Sequence, residues 1–167
     1  MALITTVGAT DADSFITLAE WQDYWDLRDV DLNQHGHDAA HEADLRIASQ
    51  YITQNYNFVG QRQYQYQALA FPRLTTILVD GWPTNPDEIP QRIKSAQAEL
   101  AYIIHSGVDV FATITGGGVK RSKVKAGPVE AETEYSNVRE TPRFVAIEGL
   151  LAPYIAAGNS QIRMVRG

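Results

Sequence analysis

Apolar residues recur at helical spacing most clearly between positions 89 and 104. Ile89, Ile93, Ala96, Leu100, Ile103 and Ile104 fall three or four apart, which places them on one helix face. Both ends of this helix are marked. Pro90 suits the first helical position, where its missing N–H costs nothing, and Asp87 and Glu88 precede it at the positive end of the helix dipole. Gly107 follows the last periodic residues and reads as the stop. A helix over 90–106 would be roughly 25 Å long, about the width of a small domain. The other elements are therefore expected to pack around it, with Ile89 to Ile104 facing inward.

Two helices are predicted before it and one after. Thr17-Leu18-Ala19-Glu20 fits a capping box, and the following LAEWQDYWDLR places Leu18, Trp21, Tyr24 and Trp25, with Leu27 or Arg28 next, on one face. A second helix runs from about Asp38 to Tyr56, with Leu45, Ala48, Ile52 and Tyr56 aligned and Ile47 and Tyr51 beside them. Residues 1–16 read as an extended lead-in anchored by Leu3, Ile4 and Val7. Pro142 opens a last helix through Phe144, Ile147, Leu151 and Tyr154 or Ile155. Pro153 kinks it or ends it early, and Gly158-Asn159 closes it.

Between the helices the pattern turns extended. Residues 57–67 form a polar, aromatic turn leading into Phe71-Pro72-Arg73. Leu74–Val79 is a short strand or extended loop, Asp80-Gly81 a turn, and Trp82-Pro83 and Asn85-Pro86 keep the chain out of helix until Pro90. Val108–Thr115 is strand or connecting turn, and Gly116-Gly117-Gly118 a hinge or close backbone approach. A hairpin follows. Its first arm carries Lys120, Arg121, Lys123 and Lys125, its turn is Ala126-Gly127-Pro128, and its second arm alternates Glu130, Glu132 and Glu134 with Val129, Ala131, Thr133 and Tyr135. Basic arm against acidic arm suits cross-strand ion pairing. A lone two-stranded hairpin is marginal in water, so this one needs support from its own subunit or a neighbour. The expected fold is mainly α: a small helical bundle of about four helices with one protruding β-hairpin and an extended C-terminal tail. It forms a single domain over 1–167, with a helical core at about 14–107 and 142–157, the hairpin at about 117–137 and a C-terminal arm at 158–167.

Composition narrows the function classes. The 167 residues suffice for one core, and no apolar run approaches the ~20 residues of a membrane span. MALITTVGATDADSF lacks the basic start and long apolar stretch of a secretory signal. The absence of cysteine excludes disulfides, thiolate zinc sites and cysteine nucleophiles. A net charge of −6 argues against a surface that grips nucleic acid through its phosphates. The charge is uneven: residues 1–66 hold ten acidic residues against three arginines, whereas KRSKVK at 120–125 holds four positive charges.

Little in the chain resembles catalytic chemistry. His35, His37 and His41 cluster, and the last two have metal-ligand spacing, but HGHDAAHEADL is not a zinc-protease pattern and reads better as a loop and first helical turn. Asp11, Asp13 and Ser14 lack the rest of a calcium loop and suit turn formation and capping. Gly116–Gly118 lacks the P-loop ending, and Ser14, Ser49 and Ser106 sit in no nucleophile-elbow context. The expectation is a non-enzyme with no metal and no cofactor. Tyr51, Tyr56, Phe58, Tyr64, Tyr66 and Phe71 would make a stacking platform for single strands, but core and interface packing is the preferred reading.

Five stretches occur in an order that resembles a family of small tailed-phage proteins: DSFITLAEWQDYW, ALAFPR, EIPQRIKSAQAELA, GGGVKRSKVKAGPVE and EGLLAPYI. They span about residues 13–157, with Phe71 where tryptophan is expected and a longer His-rich 29–41 region. The resemblance implies a head–tail connector adaptor, a ring of about twelve copies under the portal. Its implied partners are itself, the portal protein and a tail-side neck or tail-completion protein. DNA passes through without specific binding, and no membrane is involved. The implied location is the virion neck, with assembly in the host cytoplasm. Family members often carry a DnaT-like single-stranded-DNA-binding label, which supplies the alternative of a replication accessory protein. On the adaptor reading, Lys120, Arg121, Lys123, Lys125, Glu130, Glu132 and Glu134 meet a neighbouring subunit. Gln161, Ile162, Arg163, Met164, Val165 and Arg166 form a portal-docking tail. Phe71, Pro72, Arg73 and Trp82 form rigid surface that sets an angle to a neighbour.

Overall fold

The last turn of the lead-in shows how the N-terminal part is built. Thr17 caps helix α1 (Leu18–Asp26): its hydroxyl accepts from the Glu20 N–H at 3.1 Å, while the Glu20 carboxylate accepts from the Thr17 N–H at 2.7 Å. The helix buries Trp21 and Trp25 and stops before the predicted Leu27 and Arg28, which are both exposed. Arg28 instead lies over the Tyr24 ring, 3.6 Å from its centre. Thr17→Ala is expected to lower stability by about 1 kcal/mol, measured by urea unfolding, because one N-terminal donor loses its acceptor. A change below a few tenths would mean that the box contributes nothing.

A computed structural model describes residues 2–32, 37–74, 78–79, 81–111, 122–126, 129–133 and 144–156. Among them lie four α-helices and two short antiparallel ribbons, a mainly helical fold with a hairpin. Helix α2 spans Asp38–Asn55. Ribbon β1–β2 joins Leu78–Val79 to Trp82–Pro83, and helix α3 spans Gln91–His105. Strands β3 (Ser122–Ala126) and β4 (Val129–Thr133) form the predicted hairpin, and helix α4 is Val145–Leu151. The chain divides into two compact units, residues 1–109 with 145–167 and residues 110–144.

In the first unit, α3 packs against α1, α2 and α4. Because three helices cover it, its buried arc is wider than the predicted stripe. Ile93, Ala96, Gln97, Ala98, Leu100 and Ala101 are buried, whereas Ile103 and Ile104, expected to face inward, are only half-buried. Pro90 stands just outside the helix as its N-cap, with ψ 141°, rather than at the first helical position. Gly107 follows the C-cap with φ +94°, a left-handed conformation that suits glycine. Trp21 Nε1 donates to the Ala98 carbonyl at 3.0 Å, and Lys94 pairs with Glu20 at 2.8 Å. The Tyr24 hydroxyl donates to Glu99 at 2.7 Å; burial and that carboxylate push it up to about 12, so it remains a donor.

The lead-in is anchored differently from the expectation. Val7 is exposed and Leu3 and Ile4 are half-buried, while Ala12, Phe15 and Ile16 are in the core. Asp13 supports the turn: one oxygen accepts from the Ile4 N–H at 2.7 Å and the other from Arg46 Nε at 2.6 Å. Gln97 joins the lead-in to α2 and α3. Its carbonyl accepts from the Phe15 N–H at 2.9 Å, and its amide donates to Ser14 Oγ at 2.7 Å and the Leu45 carbonyl at 2.9 Å. Helix α4 buries Ile147 and Leu151 and ends there, just ahead of Pro153, as expected; a 3₁₀ turn, Ala152–Tyr154, follows. The described part of 108–115, residues 108–111, is coil and turn, not strand.

The second unit contains the β3–β4 hairpin. Its register sets Lys123 opposite Glu132 and Lys125 opposite Glu130, with Val124 opposite Ala131 between them. The basic arm therefore pairs with the acidic arm, as the charge alternation predicts. Lys120, Arg121, Glu134, the Gly116–Gly118 run, Pro142 and the tail 158–167 lie outside the described residues.

Candidate functional site

The segment 57–83 combines a tightly held base with an exposed apolar tip. Arg73 organises the base. Its Nε donates to the Val59 carbonyl at 2.7 Å, Nη1 to Ala70 at 3.0 Å, and Nη2 to Phe58 at 3.1 Å and also to Gly60. A planar guanidinium suits this because its donors fan out in one fixed fork. Burial, with Arg62 adding like charge, holds the Arg73 guanidinium below its usual value. Backbone bonds continue the pattern, Leu74 N–H to the Gln61 carbonyl at 3.0 Å and Gln63 N–H to Pro72 at 3.1 Å.

Gln67 closes the other side of the loop. It is buried, accepts from the Tyr64 N–H at 3.0 Å, and donates to the Leu69 and Pro72 carbonyls at 2.8 and 3.0 Å. The Phe71–Pro72 peptide is cis. Phe71 meets Phe58 edge-on at 5.0 Å and Tyr154 at 5.9 Å. The segment is joined to the end of the last helix by Val59 N–H to the Tyr154 carbonyl and Ala156 N–H to Asn57, both 2.8 Å. Phe71 and Pro72 thus lie inside the loop, and the expectation that they form surface is corrected.

Trp82 is that surface. In ribbon β1–β2, Leu78 stands opposite Pro83 and Val79 opposite Trp82. Directly opposed residues share a face, so Leu78 and Trp82 lie on opposite faces of the ribbon. Leu78 is 62% exposed, Trp82 78%, and the nearby Leu74 52%. Gly81, in the connecting turn, has φ +86°. The six aromatics weighed as a stacking platform divide. Tyr51, Phe58 and Phe71 are buried and Tyr56 half-buried, while Tyr64 and Tyr66 are exposed. Tyr64 also covers the lead-in, where a Cβ at Gly8 would fall on its ring.

The histidines separate as well. His35 lies outside the described residues, His37 is the N-cap of α2 without a side-chain cap bond, and His41 is buried. No group of three or more metal-ligating residues occurs among the described residues. Sequence reasoning missed Gln67 and Gln97, because a glutamine whose amide is satisfied inside a core has no periodic signature. In the sequence Arg73 stands out only by its place beside Phe71-Pro72.

A family model described as "Putative DnaT-like ssDNA binding protein" matches residues 1–167. Searches of curated proteins and of solved structures return no match.

Proposed function

The chain belongs to this DnaT-like family, and from that premise we propose that it is a structural head-to-tail adaptor of a tailed bacteriophage. It would form a ring beneath the portal, extend the DNA channel and join it to the tail. The observation that carries this reading is the β1–β2 ribbon, with Leu78 exposed on one face and Trp82 on the other. A ribbon of two-residue strands with apolar side chains on both faces gains stability from partners on both sides, as a subunit has in a ring. We assign this tip to contact with a neighbouring copy.

The charge supports a conduit. About twelve copies at −6 each give roughly −72, and a negative bore lets a polyanion slide rather than adhere. The tail residues Gln161–Arg166 are assigned to docking on the portal as an added strand or arm. The hairpin is assigned to the subunit interface, and its register provides a selective test. Exchanging Lys123 with Glu132 and Lys125 with Glu130 keeps opposite charges facing each other within the hairpin. It inverts the pattern a neighbour meets. Ring assembly is expected to weaken about tenfold, measured by mass photometry with portal, while the monomer melting temperature stays within a few degrees. Unchanged assembly would remove the hairpin from the interface.

A second reading, a single-stranded-DNA-binding accessory protein, is favoured by the family description and by the exposed Tyr64, Tyr66 and Trp82. Two measurements separate the readings: images and mass of the protein mixed with portal, and DNA affinity across salt concentrations. Closed rings on portal with negligible DNA affinity support the adaptor. Micromolar or tighter DNA binding near physiological salt, lost steeply as salt rises, would overturn it.

A further inference from the structure

His41 occupies the junction of three helices and has no hydrogen-bond partner among the described residues at either ring nitrogen. It is 2% exposed. The Trp21 ring from α1 lies 5.0 Å away and the His105 ring from α3 4.9 Å away. A neutral imidazole in this position already leaves one donor and one acceptor unsatisfied. A protonated ring would bring two donors and a full charge into the same space. Asp44, one turn along its own helix, is engaged by His105, whose Nδ1 lies 2.9 Å from Asp44 Oδ2.

We propose that the first turns of α2 are a proton-operated latch, closed while His41 is neutral and released when its ring takes a proton. The movement has a route. Helix α2 starts at His37 without a side-chain cap bond, and residues 37–40 are exposed, so unwinding from that end gives up core packing only when it reaches His41 itself. The charged and titratable surroundings point the same way. Burial pushes the His41 ring below its ordinary value, and His105 and His37 add to this; Asp44 and Asp38 oppose it without prevailing. Helix α1 contributes the uncharged indole of Trp21, while its carboxylates Glu20, Asp23 and Asp26 are exposed.

A histidine depressed in the folded state binds its proton more readily when the segment is open. The closed latch therefore has its full stability above about pH 6.5 and loses it as pH falls through the folded value. Release also takes the His41 ring away from Trp21, loosening α1 from α2.

The test is amide exchange over residues 38–44, expressed as protection factors at several pH values between about 7.5 and 5, with parallel NMR titration of the His41 ring. In the wild-type chain, protection over 38–44 is expected to fall severalfold on acidification, following His41 protonation, while protection over 93–101 is kept. In His41→Phe, which fills the same space without a titrating group, protection should be nearly independent of pH. An equal loss in His41→Phe would overturn the latch. So would a wild-type His41 that titrates at its ordinary value with protection unchanged, a result that decides the matter even if the variant does not fold.

Discussion

Arg73→Ala is expected to lower the folding free energy by about 3–4 kcal/mol, read from the urea midpoint at unchanged slope. A hydrogen bond to a charged group contributes roughly 1.5–3 kcal/mol, and Arg73 donates to four carbonyls, at Phe58, Val59, Gly60 and Ala70. The total falls short of a simple sum because the loop relaxes and water reaches some of the freed oxygens. Arg73→Lys should recover less than half of the loss, since one ammonium cannot span the fork. On the proposed function, both variants also impair ring formation, because ribbon β1–β2 starts five residues after Arg73. A loss below about 1 kcal/mol for the alanine variant would show that the loop holds without the guanidinium.

Gln97→Met is expected to cost about 3 kcal/mol by the same measurement. Methionine keeps the length and approximate volume of the side chain but removes its amide. The Phe15 N–H, the Leu45 carbonyl and the Ser14 hydroxyl then lose a partner inside the core, and an unsatisfied buried group costs roughly 1–3 kcal/mol. Gln97→Glu should be at least as damaging near neutral pH, because a carboxylate can accept from Phe15 but cannot donate to Leu45. If the methionine variant were as stable as wild type, Gln97 would be a space filler and the lead-in would be held by its buried apolar residues and the Asp13–Arg46 pair.

These two side chains show where reading the sequence stops. The four helices were legible because each has a local cause: a capping box at Thr17, apolar repeats three and four apart in α2 and α3, a glycine after Ser106, and Pro153 at the end of α4. The β3–β4 register was legible for a similar reason, since alternating charges act between neighbours in the chain. The inward set of α3 was legible only in part. Periodicity marks the hydrophobic side of a helix but not how many neighbours cover it, so Gln97 and Ala101 entered the core while Ile103 and Ile104 stayed at its margin.

The candidate surface was legible as a place and not as an arrangement. Phe71, Pro72, Arg73 and Trp82 belong to one segment, but their roles differ, with Phe71 and Pro72 buried, Arg73 tying carbonyls together and Trp82 exposed. That difference depends on contacts with Phe58, Val59 and Tyr154, distant enough along the chain that no local pattern encodes them. The sequence by itself thus determined the helices, the Thr17 capping box, the charge-matched hairpin and the acidic balance, because these follow from interactions between near neighbours and from composition. Only the tertiary structure decided which polar side chains lie inside, where His41 meets His105, and that Phe71 and Pro72 are buried while Leu78 and Trp82 are exposed. Those outcomes depend on which surfaces the packed helices bring together.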